Sequence, residues 1–206
     1  MSRSAVVICF GDSLTTGFQS PTKDNPTGRD TPYGQFLQSD LGDAAQVRIS
    51  GICGELTSEM VGRFQRDVLD HQPDYVAILG GTNDLGRNTE AADIIGNLVK
   101  MYDQALAQES IPIPVTVPSI RAEDNASSPD AQAWIAQHLA RRYQLNTFIQ
   151  EYAASKRLAY VDLFTATIDL QSHHLAVIYS NDGTHLTTAG YRLFATHVAR
   201  VLKPLL

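Results

Sequence analysis

Residues 5–13 read AVVICFGDS, and this stretch decides the fold of the chain. An unbroken apolar run of this length, rich in branched residues, is typical of a strand buried on both faces of a parallel sheet. Gly11 then turns the chain, and Ser13 follows the carboxyl end of that strand. Open α/β sheets place ligands and reacting groups at this end of their strands. Ser13 is therefore a candidate nucleophile.

The rest of the chain alternates between predicted strands and helices. Short apolar runs predict four further strands, at residues 46–49, 75–79, 111–117 and 158–163. Segments with an apolar stripe predict helices, at residues 32–41, 57–69, 89–108, 131–155 and 187–202. This alternation predicts an α/β fold with a five-stranded parallel sheet and right-handed crossovers. Because no repeat or linker divides the sequence, one domain over residues 1–206 is expected.

The composition is that of a globular protein with a negative net charge. The 206 residues are 43% hydrophobic and carry a formal charge of −6 at pH 7. The longest basic cluster is the pair Arg141-Arg142, so no nucleic-acid partner is expected. The apolar runs are too short to span a membrane, and the first one is interpreted as a strand, not as a signal peptide. Cys9 and Cys53 are too few for a disulfide framework or a metal site, which favours a cytoplasmic location.

Glycines and polar residues collect where the predicted strands end. Ser13 follows the first strand, Gly51 and Gly54 follow the second, and Asn83 follows the third. The carboxyl ends of parallel strands lie along one rim of a sheet, so these turns are expected close together. The long polar segments after the strands are expected at the same rim. The sequence therefore predicts a ligand site there.

An aspartate and a histidine near the other end of the chain supply what a reactive serine needs. Acyl transfer by a serine requires a base and a carboxylate that orients the base. His185 can act as the base for Ser13, and Asp182, three residues earlier, can reach its imidazole. The N–H groups of Ser13 and Gly54 and the side-chain amide of Asn83 can hold the developing oxyanion.

Four short blocks of the sequence resemble the conserved blocks of the SGNH, or GDSL, hydrolase family. They occur in the family's order and are GDSL at 11–14, the glycine turn at 51–54, GGTND at 80–84 and DGTHL at 182–186. The resemblance implies a three-layer α/β/α sandwich with flavodoxin-like strand order. It also implies a catalytic triad of Ser13, His185 and Asp182. The implied oxyanion hole consists of Ser13, Gly54 and Asn83, and no metal or cofactor takes part.

The second block leaves two candidates for one oxyanion donor. Many family members carry asparagine or arginine before the first glycine of this block, where this chain has Ser50. Either Gly51 or Gly54 can then supply the N–H group. The acidic-x-Thr continuation at residues 55–57 favours Gly54.

The predicted function is that of a serine esterase acting on a small-molecule carboxylic ester through an acyl-enzyme on Ser13. Loops at residues 19–31, 118–130 and 164–181 are expected to wall the substrate site, and their polarity favours short acyl chains. The same triad could serve an acyltransferase or a carbohydrate O-deacetylase. A flavodoxin-like binding module with an inert serine is the alternative from a different class.

Overall fold

A parallel sheet forms the centre of the molecule. The computed structural model describes residues 3–23, 26–122 and 128–206. The strands of the sheet are β1 (Ala5–Gly11), β2 (Ala45–Gly51), β3 (Tyr75–Leu79) and β4 (Ile111–Pro114). Their order is β2-β1-β3-β4, and every neighbouring pair is parallel. β1 and β3 are central and consist almost entirely of buried residues, as their uninterrupted apolar runs predict.

Helices connect the strands and pack against the sheet. The α-helices are α1 (Ser13–Thr16), α2 (Tyr33–Leu41), α3 (Thr57–Asp67), α4 (Thr82–Gly86), α5 (Ala91–Ala107), α6 (Pro129–Lys156), α7 (Leu163–Thr167) and α8 (Thr188–Leu202). α2 packs against α8, whereas α5 packs against both α3 and α6. These contacts divide the long helices into two groups.

Two adjacent residues of β1 show that the two groups cover opposite faces of the sheet. Successive side chains of a strand point to opposite faces. The Sγ atom of Cys9 lies 3.4 Å from where a Cβ on Gly34 of α2 would be. The ring of Phe10 instead packs edge-on against Phe64 of α3, with 5.2 Å between the ring centroids. The predicted three-layer α/β/α arrangement is therefore confirmed.

The predicted fifth strand, residues 158–163, is shorter than expected. Only Val161 pairs with the sheet, through a parallel bridge to Val115 just beyond β4. The next residue, Asp162, caps α7 by accepting a hydrogen bond from the N–H of Thr165 at 3.0 Å. The chain thus enters a helix directly after this bridge. The position of the bridge beside β4 extends the order to the flavodoxin-like pattern.

Three strand ends meet at one rim of the sheet. The register places Gly11 opposite both Gly51 and Leu79. A Cβ on Gly51 would lie 2.7 Å from the amide nitrogen of Thr16, so glycine is required for β2 to end this close to α1. The turns that carry Ser13 and the second and third blocks therefore start side by side.

The loops predicted to surround this rim are only partly irregular. Segment 164–181 contains most of α7 and a 3-10 turn at Val177–Tyr179. Segments 19–31 and 118–130 are described apart from residues 24–25 and 123–127, which lie outside the described residues.

Candidate active site

Ser13, His185 and Asp182 form one hydrogen-bonded chain. The Nε2 atom of His185 lies 3.1 Å from the Oγ atom of Ser13. The Nδ1 atom of the same ring lies 2.7 Å from Oδ2 of Asp182. This geometry lets the imidazole take the hydroxyl proton of Ser13 while the carboxylate holds the N–H on the other side of the ring.

A very short helix fixes Ser13 at the end of β1. Asp12 caps α1, because its Oδ1 accepts the N–H of Leu14 at 2.9 Å. Gly17 ends the helix in the left-handed conformation, with φ of 83°, and its N–H donates to the carbonyl of Ser13. The first N–H groups of a helix have no partner within it. The N–H of Ser13 can therefore point at a bound group.

A tight turn holds Asp182 beside His185. The Oδ1 atom of Asp182 accepts the N–H groups of Thr184 and His185 at 2.8 and 2.7 Å. Oδ2 also accepts the hydroxyl of Ser20 in addition to the His185 ring. Burial raises the pKa of Asp182, but the hydrogen bonds from His185, Ser20 and the two backbone N–H groups outweigh it and hold this pKa well below its usual range. The carboxylate therefore stays ionised next to the imidazole.

Gly54 and Asn83 are the residues predicted to supply the further oxyanion donors. Gly54 has φ of 78°, a conformation that favours glycine, and both residues line a cavity at the rim. The Nδ2 atom of Asn83 donates to the carbonyl of Glu55 at 3.0 Å and lies 3.4 Å from Oδ2 of Asp12. The first bond orients the amide, and the second is long enough to be replaced by a better acceptor. Gly51 packs against α1 at the end of β2, so the geometry favours Gly54 over Gly51.

Asp12 is a buried carboxyl group next to these donors. Burial raises the pKa of Asp12 to about 6, and the charges of Asp84 and Glu55 act in the same direction. The N–H of Leu14 and the charge of His185 oppose this rise. Asp12 therefore changes its charge close to neutral pH.

Arg63 of α3 connects several parts of the site. Its Nε and Nη2 atoms donate to the carboxylate of Glu55 at 2.7 and 2.6 Å. Nη2 also donates to the carbonyl of Gly11 at 3.0 Å, and Nη1 donates to the hydroxyl of Ser50 at 2.7 Å. Both charged side chains are buried, so the pair is stabilised by its geometry and its additional hydrogen bonds. Arg63 thereby holds the turn of the second block against the end of β1.

A cavity of about 590 Å³ lies at this rim. Gly54, Asn83 and Asp182 form one part of its wall, and residues of α6, including Trp134 and Arg142, form another. This volume suits a small-molecule ligand. The cavity adjoins Asp182 of the hydrogen-bonded chain and is a candidate site for a ligand.

Sequence reasoning missed Arg63 and Arg142, although the helical period contains a signal for both. Arg63 lies three residues after Met60 on the buried face of α3. Arg142 lies between His138 and Leu145 on the buried face of α6. A basic residue at a position that the period assigns to the core requires a partner or a function.

The described residues contain neither a cluster suited to a metal ion nor a helix suited to crossing a membrane. No group of three or more His, Cys, Asp or Glu residues could hold a metal ion in residues 3–23, 26–122 and 128–206. Within the same ranges, no helix is both long and apolar enough to cross a membrane.

The profile of the GDSL-like Lipase/Acylhydrolase family matches residues 9–193. The chain belongs to this family. The match spans all four sequence blocks and confirms the predicted resemblance. It also supports the predicted class of enzyme, an ester-bond hydrolase.

Solved structures with the GDSL fold are similar to this GDSL chain over nearly its whole length. A GDSL-like lipase from Bacteroides thetaiotaomicron is 22% identical with a TM-score of 0.76, and the match covers 98% of this chain and 89% of that one. A lipase/acylhydrolase from Enterococcus faecalis is 24% identical with a TM-score of 0.76, covering 98% and 96%. A catalytic mutant of an acetylxylan esterase from Geobacillus stearothermophilus is 17% identical with a TM-score of 0.77, covering 98% and 95%. At these identities the likeness shows the fold.

A curated protein matches a part of the GDSL chain. It is the uncharacterised lipoprotein YqeF of Bacillus subtilis, 36% identical over 84 residues. The match covers 41% of this chain and 34% of that protein, so the chain spans about a third of the length of this relative. The predicted cytoplasmic location stays a prediction, since this relative is described as a lipoprotein.

Proposed function

We propose that this chain is a serine esterase that hydrolyses carboxylic esters with short acyl chains. The observation that carries the proposal is the hydrogen-bonded chain from Ser13 through His185 to Asp182, with distances of 3.1 and 2.7 Å. The groups that acyl transfer requires are present beside a cavity of substrate size. Two of the structural relatives are catalytic mutants of the acetylxylan esterase in which a serine or a histidine is replaced by alanine. The same two residue types are assigned catalytic roles here.

The proposed reaction has two steps. Ser13 Oγ attacks the carbonyl carbon of the ester while His185 takes the hydroxyl proton, and the alcohol leaves with that proton as the C–O bond breaks. Water then attacks the acyl-enzyme, with His185 as the base, and the acid and Ser13 are released. Asp182 keeps the imidazole oriented and stabilises its protonated form. The oxyanion of each step is held by the N–H groups of Ser13 and Gly54 and by the amide of Asn83.

Labelling with a fluorophosphonate tests the proposal. The expected result is covalent modification at Ser13, together with hydrolysis of p-nitrophenyl acetate and butyrate in preference to the octanoate. If the protein is neither labelled nor active on any of these esters, it is a binding module with an inert serine. Product analysis in the presence of added alcohols separates hydrolysis from acyl transfer.

Replacement of Asn83 by alanine is expected to lower kcat by roughly 10²–10³-fold, because one oxyanion donor is lost in the transition state. KM should change little, since the donor acts mainly on charge that develops during the reaction. Steady-state kinetics on p-nitrophenyl acetate measures both constants. Asn97→Ala, the same change on α5, should leave both near wild type. A rise in KM with an unchanged kcat would show that Asn83 only binds the ester.

A carbohydrate O-deacetylase is a second candidate, favoured by Trp134. This side chain is 50% exposed and lies on the cavity wall, where a flat aromatic surface suits packing against a sugar ring. The fold is shared with an acetylxylan esterase.

Trp134→Ala is then expected to raise KM for acetylated xylo-oligosaccharides about tenfold, because the packing surface is lost. The kinetic constants for p-nitrophenyl acetate should stay near wild type. Tyr160→Ala removes another exposed aromatic ring that is not part of the cavity wall and serves as the control. Equal effects on both substrates would argue against a sugar at this position.

A further inference from the structure

Arg142 is a buried cation with hydrogen-bond donors that no described residue fills. It lies in the middle of α6, and only 3% of its surface is exposed. Its Nε and Nη1 atoms have no hydrogen-bond partner within the part of the chain that the structure describes. Burying an ionised group with unfilled N–H donors is costly unless something else supplies the acceptors. The arrangement is explained if a ligand fills them.

The unfilled donors of Arg142 belong to a row of side chains along the cavity. His138 lies one helical turn before Arg142, and its Nε2 atom is also buried without a partner among the described residues. Trp134 lies one turn earlier still, and its ring packs on that of His138 with 3.9 Å between the centroids. All three residues line the cavity. α6 therefore places two side chains with unsatisfied polar atoms in the wall of the cavity beside the proposed active site.

The wall of this cavity is positively charged in a protein of net charge −6. Arg87 and Arg121 line it as well as Arg142, and Arg121 is held by a hydrogen bond to the carbonyl of Ser180 at 2.9 Å. Among the described lining residues the one carboxylate is Asp182, whose oxygens already accept several hydrogen bonds. An anion in the cavity would therefore meet more attraction than repulsion.

Asp12 is the carboxyl group whose charge affects the pKa of Arg142. Burial lowers the pKa of Arg142 to about 10, and the charge of Asp12 acts in the opposite direction. Arg142 therefore keeps its positive charge at neutral pH. No ion pair joins these two side chains in the described structure, so Asp12 leaves the donors of Arg142 available.

We propose that this cavity binds an anionic group of the ester substrate, a carboxylate or a phosphate, with Arg142 as its main contact and His138 as a second one. The proposal rests on the esterase function proposed above. A guanidinium can donate two parallel hydrogen bonds to two oxygens of a carboxylate or of a phosphate, which no other side chain does. The substrate class is then an ester whose acid group, on the acyl or on the alcohol side, lies a few atoms from the scissile carbonyl.

The test compares kcat/KM on matched charged and neutral esters. Monoethyl succinate and ethyl butyrate differ by a carboxylate on the acyl side. 3-Acetoxypropionate and propyl acetate differ by a carboxylate on the alcohol side. The wild-type enzyme is expected to prefer one of the two anionic esters over its neutral match by roughly tenfold or more. Arg142→Met should lower kcat/KM for that anionic ester by roughly 30-fold or more. The same substitution should lower kcat/KM for the matched neutral ester by less than about threefold.

One further variant separates the guanidinium from its charge, and a second is a control. Arg142→Lys keeps the charge but not the fork and should give an intermediate loss. Arg141→Met makes the same charge change at the neighbouring residue, which donates to Oδ1 of Asn88 at 2.9 Å. This control should leave the preference for the anionic ester intact.

Thermal melting separates a binding role from a structural one. Arg142→Met removes a buried, unpaired charge while keeping an apolar side chain of similar length, so its Tm is expected to equal or exceed that of the wild type. A lower Tm, with equal losses on neutral and anionic esters, would overturn the proposal. An absent preference for either anionic ester in the wild type would overturn it as well.

Calorimetry separates failure of this inference from failure of the esterase function. Succinate and inorganic phosphate are titrated into Ser13→Ala and into the double variant Ser13→Ala/Arg142→Met. This measurement of binding does not depend on turnover. Binding of either anion by the first protein and at least tenfold weaker binding by the second supports the anion site, even if no ester is hydrolysed. Equal binding by both proteins, or binding by neither, contradicts it.

Discussion

Replacement of Ser13 by alanine is expected to reduce kcat on p-nitrophenyl acetate by roughly 10⁴-fold or more, because no other group can form the acyl-enzyme. The Oγ atom of Ser13 is the hydroxyl within 3.1 Å of Nε2 of His185. KM should change much less, since the oxyanion donors and the cavity remain. A stopped or continuous assay of p-nitrophenol release measures kcat and KM directly.

Ser39→Ala is the matched control for this experiment. The hydroxyl of Ser39 donates to the carbonyl of Gln35 on the exposed face of α2, away from the triad. This variant should be as active as the wild type. Activity of Ser13→Ala within about tenfold of the wild type would mean that the hydrolysis does not proceed through Ser13.

Replacement of Asp182 by asparagine is expected to lower kcat by roughly 10³–10⁴-fold, because the amide cannot stabilise the protonated imidazole or hold its Nδ1–H tautomer. The substitution changes the contacts of Oδ2, which lies 2.7 Å from Nδ1 of His185 and also accepts the hydroxyl of Ser20. Asp169→Asn is the control, since Asp169 also accepts backbone N–H groups, from Gln171 and Ser172, but lies in an exposed turn. A similar loss in both variants would contradict the triad.

The same substitution at Asp182 should change stability in a pH-dependent way. The pKa of Asp182 is lowered in the folded protein, so the folded state favours the ionised carboxylate. Its contribution to the free energy of unfolding is present above the ordinary aspartate pKa of about 4 and is lost as pH falls through the lowered value. Wild type and Asp182→Asn should therefore differ most near neutral pH and converge in acid, as urea unfolding at several pH values would show.

The central strands and the residues of the rim could be predicted because their signals are local. The run before Gly11 is apolar throughout, and the structure buries it on both faces. The carboxyl ends of parallel strands must share a rim, so Ser13, Gly54 and Asn83 could be grouped without coordinates. The structure brings His185 to the same rim. Their catalytic roles stay predictions.

The fifth strand and the anion site depend on contacts that the sequence does not display. The residues next to Val161 in the sequence have the pattern of a strand, but the capping of α7 by Asp162 ends the pairing after one bridge. Arg142 stands beside Arg141 in the sequence, where both have the same local context. Only the packing of α6 buries the first fully and leaves the second partly exposed beside Glu90.

The contacts of Arg63 have a consequence for motion in the site. Its guanidinium joins α3 to Gly11 and to both ends of the turn between Ser50 and Glu55. This turn cannot swing away without breaking the buried ion pair between Arg63 and Glu55, which costs several kcal/mol. We therefore expect the amide hydrogen of Ile52, which donates to the carbonyl of Gly11 at 3.1 Å, to exchange with solvent only when this ion pair opens. The proposed oxyanion donor of this turn is then in place before an ester arrives, so the enzyme does not have to recruit it by a closing movement.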